Sequence, residues 1–286
     1  MTAVITMPLD PVLRLGPIPI HWYGLAYAIA FFVGIRLVTP YLLRHGISQN
    51  DCNSLFWWNI AIGLLGGRLY FVLQQPDLVH RYLLDPIQII AVWDGGMAFF
   101  GAIIACLATT ALLAHRRRLP LWLVLDGGAL FATLPQAIGR VGNVINGDIL
   151  GAPSNLPWAL RYTSPHTFAP STTIAYQPAN VYELLTSLAL FGVISFVLAR
   201  RARPGTAVTV YIACYALSQF LVFFARATEP TILLGLKQAQ VTALVVLLIG
   251  VPSMVLIRQL LPNVWRTPSG VSGPAGDDAT PVAVGA

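Results

Sequence analysis

One run of residues, GRVGNVINGDILG, places an arginine, two asparagines and an aspartate among four glycines. If one helix continues through the run, Arg140, Asn143 and Gly147 share a face, because they recur at helical spacing. The glycines would let a ligand lie against the backbone, and a planar guanidinium suits the oxygens of a phosphate. The run therefore predicts a phosphate-binding site. The alternative is a polar packing cluster in which Arg140 pairs with Asp148 or Glu183.

Two further arginines, Arg36 and Arg68, fall inside apolar stretches. A charge at the centre of a bilayer costs about 3 kcal/mol on insertion scales, so each arginine needs a partner or a role. Arg36 is expected to extend toward the lipid headgroups. Arg68 follows two glycines, which would let another helix or a lipid approach closely. For Arg68 the sequence predicts either substrate binding or an ion pair with Asp94 or Asp126.

The elements that hold these residues must lie in a membrane, because the chain is too apolar to form a water-facing surface. Hydrophobic residues make up 56% of the 286 residues and charged residues 10%, whereas soluble domains carry about 25%. The net charge of +6 comes mostly from basic residues in short loops, which indicates topology and not a nucleic-acid partner. Cys52, Cys106 and Cys214 lack paired or metal-like spacing, so we expect no disulfide, no metal and no cofactor.

Seven segments are apolar for about the 20 residues that a spanning helix needs. They run roughly over Trp22–Leu43, Leu55–Leu73, Met97–His115, Leu121–Asn143, Val181–Ala199, Gly205–Phe224 and Val241–Leu261. The apolar segment Pro86–Trp93 is too short to span and predicts an interfacial or re-entrant piece. The predicted fold is an all-α polytopic membrane protein with about seven transmembrane helices.

The arginine distribution predicts an outside N-terminus and a cytoplasmic C-terminus. The clusters Arg116–Arg118 and Arg200–Arg203 both fall on the cytoplasmic side under the positive-inside rule. On this orientation the segment of about 144–180 is a small extracytoplasmic head of irregular or short-strand structure. Residues 1–266 then form the membrane domain, and residues 267–286 form a disordered cytoplasmic tail.

The run Gly139–Gly151 closely resembles the signature of the bacterial prolipoprotein diacylglyceryl transferases, which carry a glutamate in place of Asp148. Four other stretches are similar to the family and fall in the same order. These are His21-Trp22-Tyr23-Gly24, Gly66-Gly67-Arg68, Trp93-Asp94-Gly95-Gly96-Met97 and Gln177-Pro178-Ala179-Asn180-Val181-Tyr182-Glu183. The matches cover most of the membrane domain, and a signature of this length with flanking motifs is specific.

The resemblance implies an enzyme that moves the diacylglyceryl group from phosphatidylglycerol to the lipobox cysteine in the signal peptide of a preprolipoprotein. Such enzymes act at the outer leaflet of the bacterial inner membrane, which agrees with the predicted orientation. In the family, the position matching Arg140 grips the phosphate, and those matching Tyr23, Asn143 and Gly151 matter for activity. The expected catalytic residues are Tyr23, Arg140, Asn143 and Asp148, and the expected substrate-binding residues are Arg140, Arg68, Asn146, Gly142 and Gly151.

Three positions depart from the family pattern. Phe100 stands where the family has a functional histidine, and Gln219 and Phe223 stand where it has an arginine and a glutamate. An arginine and a glutamate four residues apart share a helix face. Losing only one of them would strand a buried charge at a cost of several kcal/mol. The loss of both residues is therefore compatible with the fold, and it leaves a cavity with less positive potential.

The missing histidine removes the obvious group for proton transfer near neutral pH, and such help is typically worth about 10²–10⁴ in rate. Two interpretations follow. The chain is a transferase, impaired or specialised, that uses Tyr23, Asp148 or His21 as its base. Alternatively, it is a non-catalytic relative that binds an anionic phospholipid.

Overall fold

The protein is mostly helical, with short strands in the segments between helices. The computed structural model describes residues 4–16, 18–76, 82, 84–91, 96–226 and 230–260. The helices are α1 (Trp22–Arg44), α2 (Gln49–Leu73), α3 (Ile87–Ile90), α4 (Phe99–Arg117), α5 (Leu121–Asn146), α6 (Ala179–Ala199), α7 (Thr206–Val222) and α8 (Gln238–Leu260). The strands are β1 (Ile5–Met7), β2 (Val12–Leu15), β3 (Ile18–His21), β4 (Leu160–Tyr162), β5 (Thr231–Leu233) and β6 (Leu236–Lys237).

Within these residues, six helices are long and apolar enough to cross a membrane, and α7 is apolar but shorter. The predicted all-α polytopic membrane fold is therefore confirmed. The last helix begins at Gln238, three residues before the predicted start, and it contains a π-helical turn at Val246–Gly250. Its predicted last residue, Leu261, and the predicted tail lie outside the described residues.

The short apolar segment before α4 forms only the four-residue helix α3. This agrees with a piece too short to span the membrane. Trp93 and Asp94, which belonged to the predicted interfacial piece and its motif, lie outside the described residues.

The chain divides into two compact units. The smaller comprises the described residues of Leu43–Pro120, and its centre is the pair α2 and α4. Glycines bring these two helices together: a Cβ added at Gly63 would lie 2.7 Å from Cys106 Sγ, and Gly67 O accepts a hydrogen bond from Ala98 N at 2.9 Å. Small residues allow such close helix packing in a membrane.

The larger unit comprises the described residues of Met1–Leu42 and Leu121–Pro262 and holds α1 and α5 to α8. Helix α5 is its centre, because α5 packs on both α6 and α7. On α1, Gly34 lies against the rings of Phe131 and Pro135 of α5. All residues of the run GRVGNVINGDILG belong to this unit.

The head in this unit pairs a strand near the N-terminus with a strand from the middle of the sequence. Strand β4 pairs in parallel with β1, so Ile5 lies opposite Leu160 and Met7 opposite Tyr162. Leu150, Leu160, Tyr162 and Tyr176 form its buried core. Short strands were expected in this segment, but the pairing with the N-terminal residues was not predicted, because the two partners lie far apart in sequence.

Candidate functional site

The glycine-rich run does not form one continuous helix. Helix α5 ends at Asn146, and Gly147 adopts φ +79°, a conformation that glycine tolerates best. The prediction that Gly147 continues the face of Arg140 and Asn143 is therefore wrong, because the chain turns before it. The two polar side chains do meet, since Arg140 Nη1 donates to Asn143 Oδ1 at 3.3 Å.

The turn brings Asp148 back onto the end of α5. Its carboxylate accepts hydrogen bonds from Asn143 Nδ2 at 3.0 and 3.1 Å and from Asn146 Nδ2 at 3.3 Å. Both asparagines are buried. The structure thus assembles four predicted site residues in one hydrogen-bonded chain, in which the amides stabilise the negative charge of Asp148.

Arg140 also forms an ion pair with Glu183, the fifth residue of α6. The second oxygen of that carboxylate lies 3.6 Å from Arg226 Nη1. The Glu183 side chain is 1% exposed, whereas those of Arg140 and Arg226 are 18% and 17% exposed. The pair with Glu183 was the predicted structural alternative for Arg140. Two arginines therefore share one buried carboxylate.

One donor of Arg140 is unused within the part of the chain that the structure describes. The buried Nε of Arg140 has no hydrogen-bond partner among the described residues. A buried donor without a partner costs about 1–3 kcal/mol, and functional sites are where such a cost is found. This donor on a charged guanidinium suits an anion at this position.

Sequence reasoning assigned no function to Arg226, because it counted this residue as a loop cation. Its guanidinium lies over the Phe223 ring at 4.6 Å. Lys237 Nζ donates to the carbonyls of Phe223, at 2.6 Å, and of Arg226. The end of α7 is thereby fixed where Arg226 can reach Glu183. The sequence feature that could have identified Arg226 is its position shortly after the two phenylalanines that follow α7.

Tyr23 lies on α1 against the same part of α5. A Cβ added at Gly142 would be 3.1 Å from the Cα of Tyr23, so this glycine lets the two helices approach. The Tyr23 hydroxyl donates to the Tyr27 hydroxyl at 3.2 Å. His21, a third candidate base, is the last residue of β3 and is exposed.

Gly151 joins the site to the head through its backbone. Its N–H donates to Gln177 O at 2.8 Å, and an added Cβ would lie 2.8 Å from Gln177 Cβ. Close backbone packing explains why a glycine is needed here. Its expected lipid contact stays a prediction.

A second buried group that the sequence analysis missed is Asn180, whose Nδ2 donates to Asp148 O at 3.1 Å. Beside it, Tyr162 donates its hydroxyl to Val144 O at 2.8 Å. Burial raises the pKa of Tyr162 to about 12, so this hydroxyl stays protonated near neutral pH and cannot act as a base there.

Arg68 belongs to the smaller unit and binds backbone. Its guanidinium donates to the carbonyls of Ile89 at 3.0 Å, Gly96 at 2.9 Å and Gln88 at 2.6 Å. Asp126, one predicted partner, instead accepts hydrogen bonds from backbone amides at the start of α7. The other, Asp94, lies outside the described residues. Arg68 therefore anchors the segment around α3, and its expected contact with substrate remains a prediction.

The three departures from the family pattern occupy different surroundings. Phe100 lies in the first turn of α4, 55% exposed, with its ring edge-on to Phe99 at 5.9 Å. Phe223 is buried at the end of α7, and Gln219 is half-buried one turn before it.

Comparison with known proteins gives the same family as the motifs. Residues 11–256 match the family model described as prolipoprotein diacylglyceryl transferase. The phosphatidylglycerol–prolipoprotein diacylglyceryl transferase of Bordetella bronchiseptica is 35% identical over 81% of this chain and 87% of its own length. The enzyme of the same name from Thermosynechococcus vestitus is 34% identical over 90% of this chain and 96% of its own. The chain therefore belongs to the prolipoprotein diacylglyceryl transferase family.

Proposed function

We propose that this protein transfers the diacylglyceryl group of phosphatidylglycerol to the lipobox cysteine of preprolipoproteins. The reaction takes place at the outer leaflet of the bacterial inner membrane. The observation that carries the proposal is the trio in which Arg140 and Arg226 share the buried carboxylate of Glu183, while the Nε of Arg140 has no hydrogen-bond partner among the described residues. The printed names of the relatives supply the two substrates.

The chemistry forms one bond and breaks one. The cysteine sulfur bonds to the glyceryl carbon, the bond from that carbon to the phosphate oxygen breaks, and glycerol 1-phosphate leaves with the electron pair. The thiol must lose its proton, because the thiolate is the nucleophile. Arg140 would stabilise the charge on the departing phosphate, where preorganised donors contribute most.

Three groups are candidates for the acceptor of the thiol proton: the Asp148 carboxylate, the Tyr23 hydroxyl and the His21 imidazole. The Asp148 carboxylate accepts hydrogen bonds from two side-chain amides, and the Tyr23 hydroxyl donates to the Tyr27 hydroxyl. His21, the last residue of β3, is exposed directly before α1, and histidine is the side chain that most often transfers protons in catalysis. We propose that one of these three replaces the imidazole that position 100 lacks.

A second candidate function is binding of an anionic phospholipid without transfer. It is favoured by Phe100, Gln219 and Phe223, which remove an imidazole and a pair of charges. Arg140 would then hold the phosphate of an intact lipid.

Release of glycerol phosphate decides between the two functions. Purified protein is mixed with phosphatidylglycerol, with and without a lipobox peptide, beside a family enzyme as positive control. The transferase releases glycerol phosphate only when the peptide is present, and the peptide gains the mass of the diacylglyceryl group. No release above background, with intact lipid binding, would establish the second function instead.

A further inference from the structure

The head contains a cavity of about 780 Å³ that the proposed chemistry does not use. Its lining includes Val4 before β1, Ser154 and Asn155 from one loop, Arg161 on β4, and Thr173 and Ile174 from another loop. We call it the head cavity. Its volume falls in the range of about 300–1,000 Å³ that is usual for small-ligand sites.

The position of Arg161 follows from strand geometry. Leu160 and Tyr162, its neighbours on β4, are both buried in the core of the head. Side chains alternate between the two faces of a strand, so Arg161 lies on the opposite face. That face is where the head cavity lies.

Arg161 has no ion-pair partner among the described residues. Its Nη2 donates to Thr6 Oγ1 at 3.3 Å, and its buried Nε has no hydrogen-bond partner in the described part of the chain. The described lining of the cavity contains no acidic residue. Asp148, the carboxylate nearest to Arg161 in sequence, binds the asparagine amides, and Asp10, which follows the paired strand β1, binds His166. Arg161 is therefore available to an external anion.

The remaining lining indicates which kind of anion. Ser154, Asn155 and Thr173 offer neutral donors and acceptors, and Val4 and Ile174 offer apolar surface. This mixture suits an extended peptide, whose amides need partners and whose side chains alternate in character. A guanidinium fork pairs well with a carboxylate.

We propose that the head cavity binds an acidic side chain in the part of the substrate polypeptide that follows the acceptor cysteine. This inference rests on the proposed function, in which the head and the exported chain share the outer side of the membrane. Arg161 would then select among acceptor proteins without taking part in the transfer itself.

Direct binding tests this inference without requiring transfer. The probes are fluorescent peptides that contain only residues from the part of a preprolipoprotein that follows the cysteine. Each peptide of the set carries one aspartate, at a different position. A matched set carries asparagine at the same places. With the full chain in detergent, the best aspartate peptide should bind roughly tenfold more tightly than its asparagine partner, the size of one charge-assisted hydrogen bond.

Charge reversal separates recognition from folding. Arg161→Gln should abolish the preference for aspartate, and Arg161→Glu should create a preference for a lysine peptide. The matched control Arg14→Gln changes another arginine of the head, which contacts His166, and should keep the preference for aspartate. Equal binding of aspartate and asparagine peptides to the unaltered protein would overturn the proposal. It would also fail if Arg161 governed binding to phosphatidylglycerol vesicles and not to the peptides.

A transfer measurement then links the cavity to the enzyme. A long acceptor with the aspartate should have a lower KM than an acceptor that ends near the cysteine, and Arg161→Gln should remove that difference while leaving kcat unchanged. If no acceptor is modified, the proposed function fails, whereas the peptide-binding result still decides the role of the cavity.

Discussion

Two nitrogens of the Arg140 guanidinium bind other side chains, and the third has no partner among the described residues. One nitrogen pairs with Glu183, one donates to Asn143, and the buried Nε is unused within the described residues. Because Arg226 shares the same carboxylate, a bound phosphate would not leave Glu183 without a cation. The same residue can therefore stabilise the unliganded fold and bind an anion.

Arg140→Lys should weaken binding of phosphatidylglycerol by about tenfold although it keeps the charge, because an ammonium lacks the planar fork. Lipid binding is measured on purified protein by titration with the short-chain lipid in detergent. Arg36→Lys is the matched control, since Arg36 is exposed on α1 and lies near the Phe32 ring. Unchanged affinity in both Arg140→Lys and Arg140→Ala, with the fold intact, would remove Arg140 from the site.

Helix α7 is held at both ends by side chains from other helices. With 17 residues it is about 26 Å long, which is shorter than a hydrocarbon core of about 30 Å. At its start, the buried carboxylate of Asp126 accepts from Gly205 N at 2.7 Å and Val208 N at 2.8 Å. At its end, Lys237 and Gln240 donate to the carbonyls of Phe223 and Phe220. These contacts satisfy groups that the bilayer would leave unpaired.

Asp126→Ala should therefore destabilise the protein by about 3 kcal/mol, because two buried N–H groups lose a charged acceptor. Unfolding in detergent, followed by far-ultraviolet circular dichroism, measures the change. Asp51→Asn is the control: its pair with Arg117 is partly exposed, and such pairs contribute less than about 1 kcal/mol. Equal stability of Asp126→Ala and the unaltered protein would show that α7 needs no cap from α5.

The elements were predictable where a single physical requirement dominates. Length and apolarity locate the long helices, because a bilayer demands both. The turn at Gly147 was not predictable from spacing, since a glycine is compatible with a helix end and with a close helix contact. The hydrogen-bond partners of Arg68 could not be predicted either, because they are backbone carbonyls, which every residue has. The strand pair of β1 and β4 joins segments that only the complete fold brings together.

At the scale of the whole molecule, orientation decides which side of the membrane the head and the Arg140 cluster face. Asp148, which binds Asn143 beside Arg140, belongs to the head segment of about 144–180. The head cavity and the proposed thiol acceptor therefore require the head to be outside. The arginine clusters support that orientation.

Cysteine-accessibility mapping tests the orientation. A cysteine placed at Ser171, in the exposed loop of the head, should react with an impermeant reagent in intact cells. A cysteine placed after Thr267 should react only after permeabilisation. The three native cysteines are changed to serine or alanine in the background used for both probes. Reversed labelling would place the site on the cytoplasmic side and contradict the proposed acceptor.

The departures from the family pattern fall in both compact units, so their effect is a property of the whole molecule. Phe100 is exposed in the smaller unit, and an imidazole there has room without disturbing a core. Phe100→His should raise the transfer rate by at least about tenfold if the rest of the site is aligned for chemistry. Because only the neutral ring accepts a proton, the gain should grow as pH rises through about 6.5 and then level off.

The arginine and the glutamate that the family pattern has at positions 219 and 223, in the larger unit, can be introduced in the same variant. A glutamate at position 223 would replace a ring that lies 4.6 Å from the Arg226 guanidinium, and an arginine at position 219 would share its helix face. The triple variant Phe100→His, Gln219→Arg, Phe223→Glu therefore buries no unpaired charge and should transfer faster than Phe100→His alone. We expect slow but measurable transfer by the unaltered protein, measured as glycerol phosphate released with a lipobox peptide. If neither the unaltered protein nor the triple variant transfers above background while both bind phosphatidylglycerol, the site has lost its transition-state geometry and the protein is a phospholipid-binding member of the family.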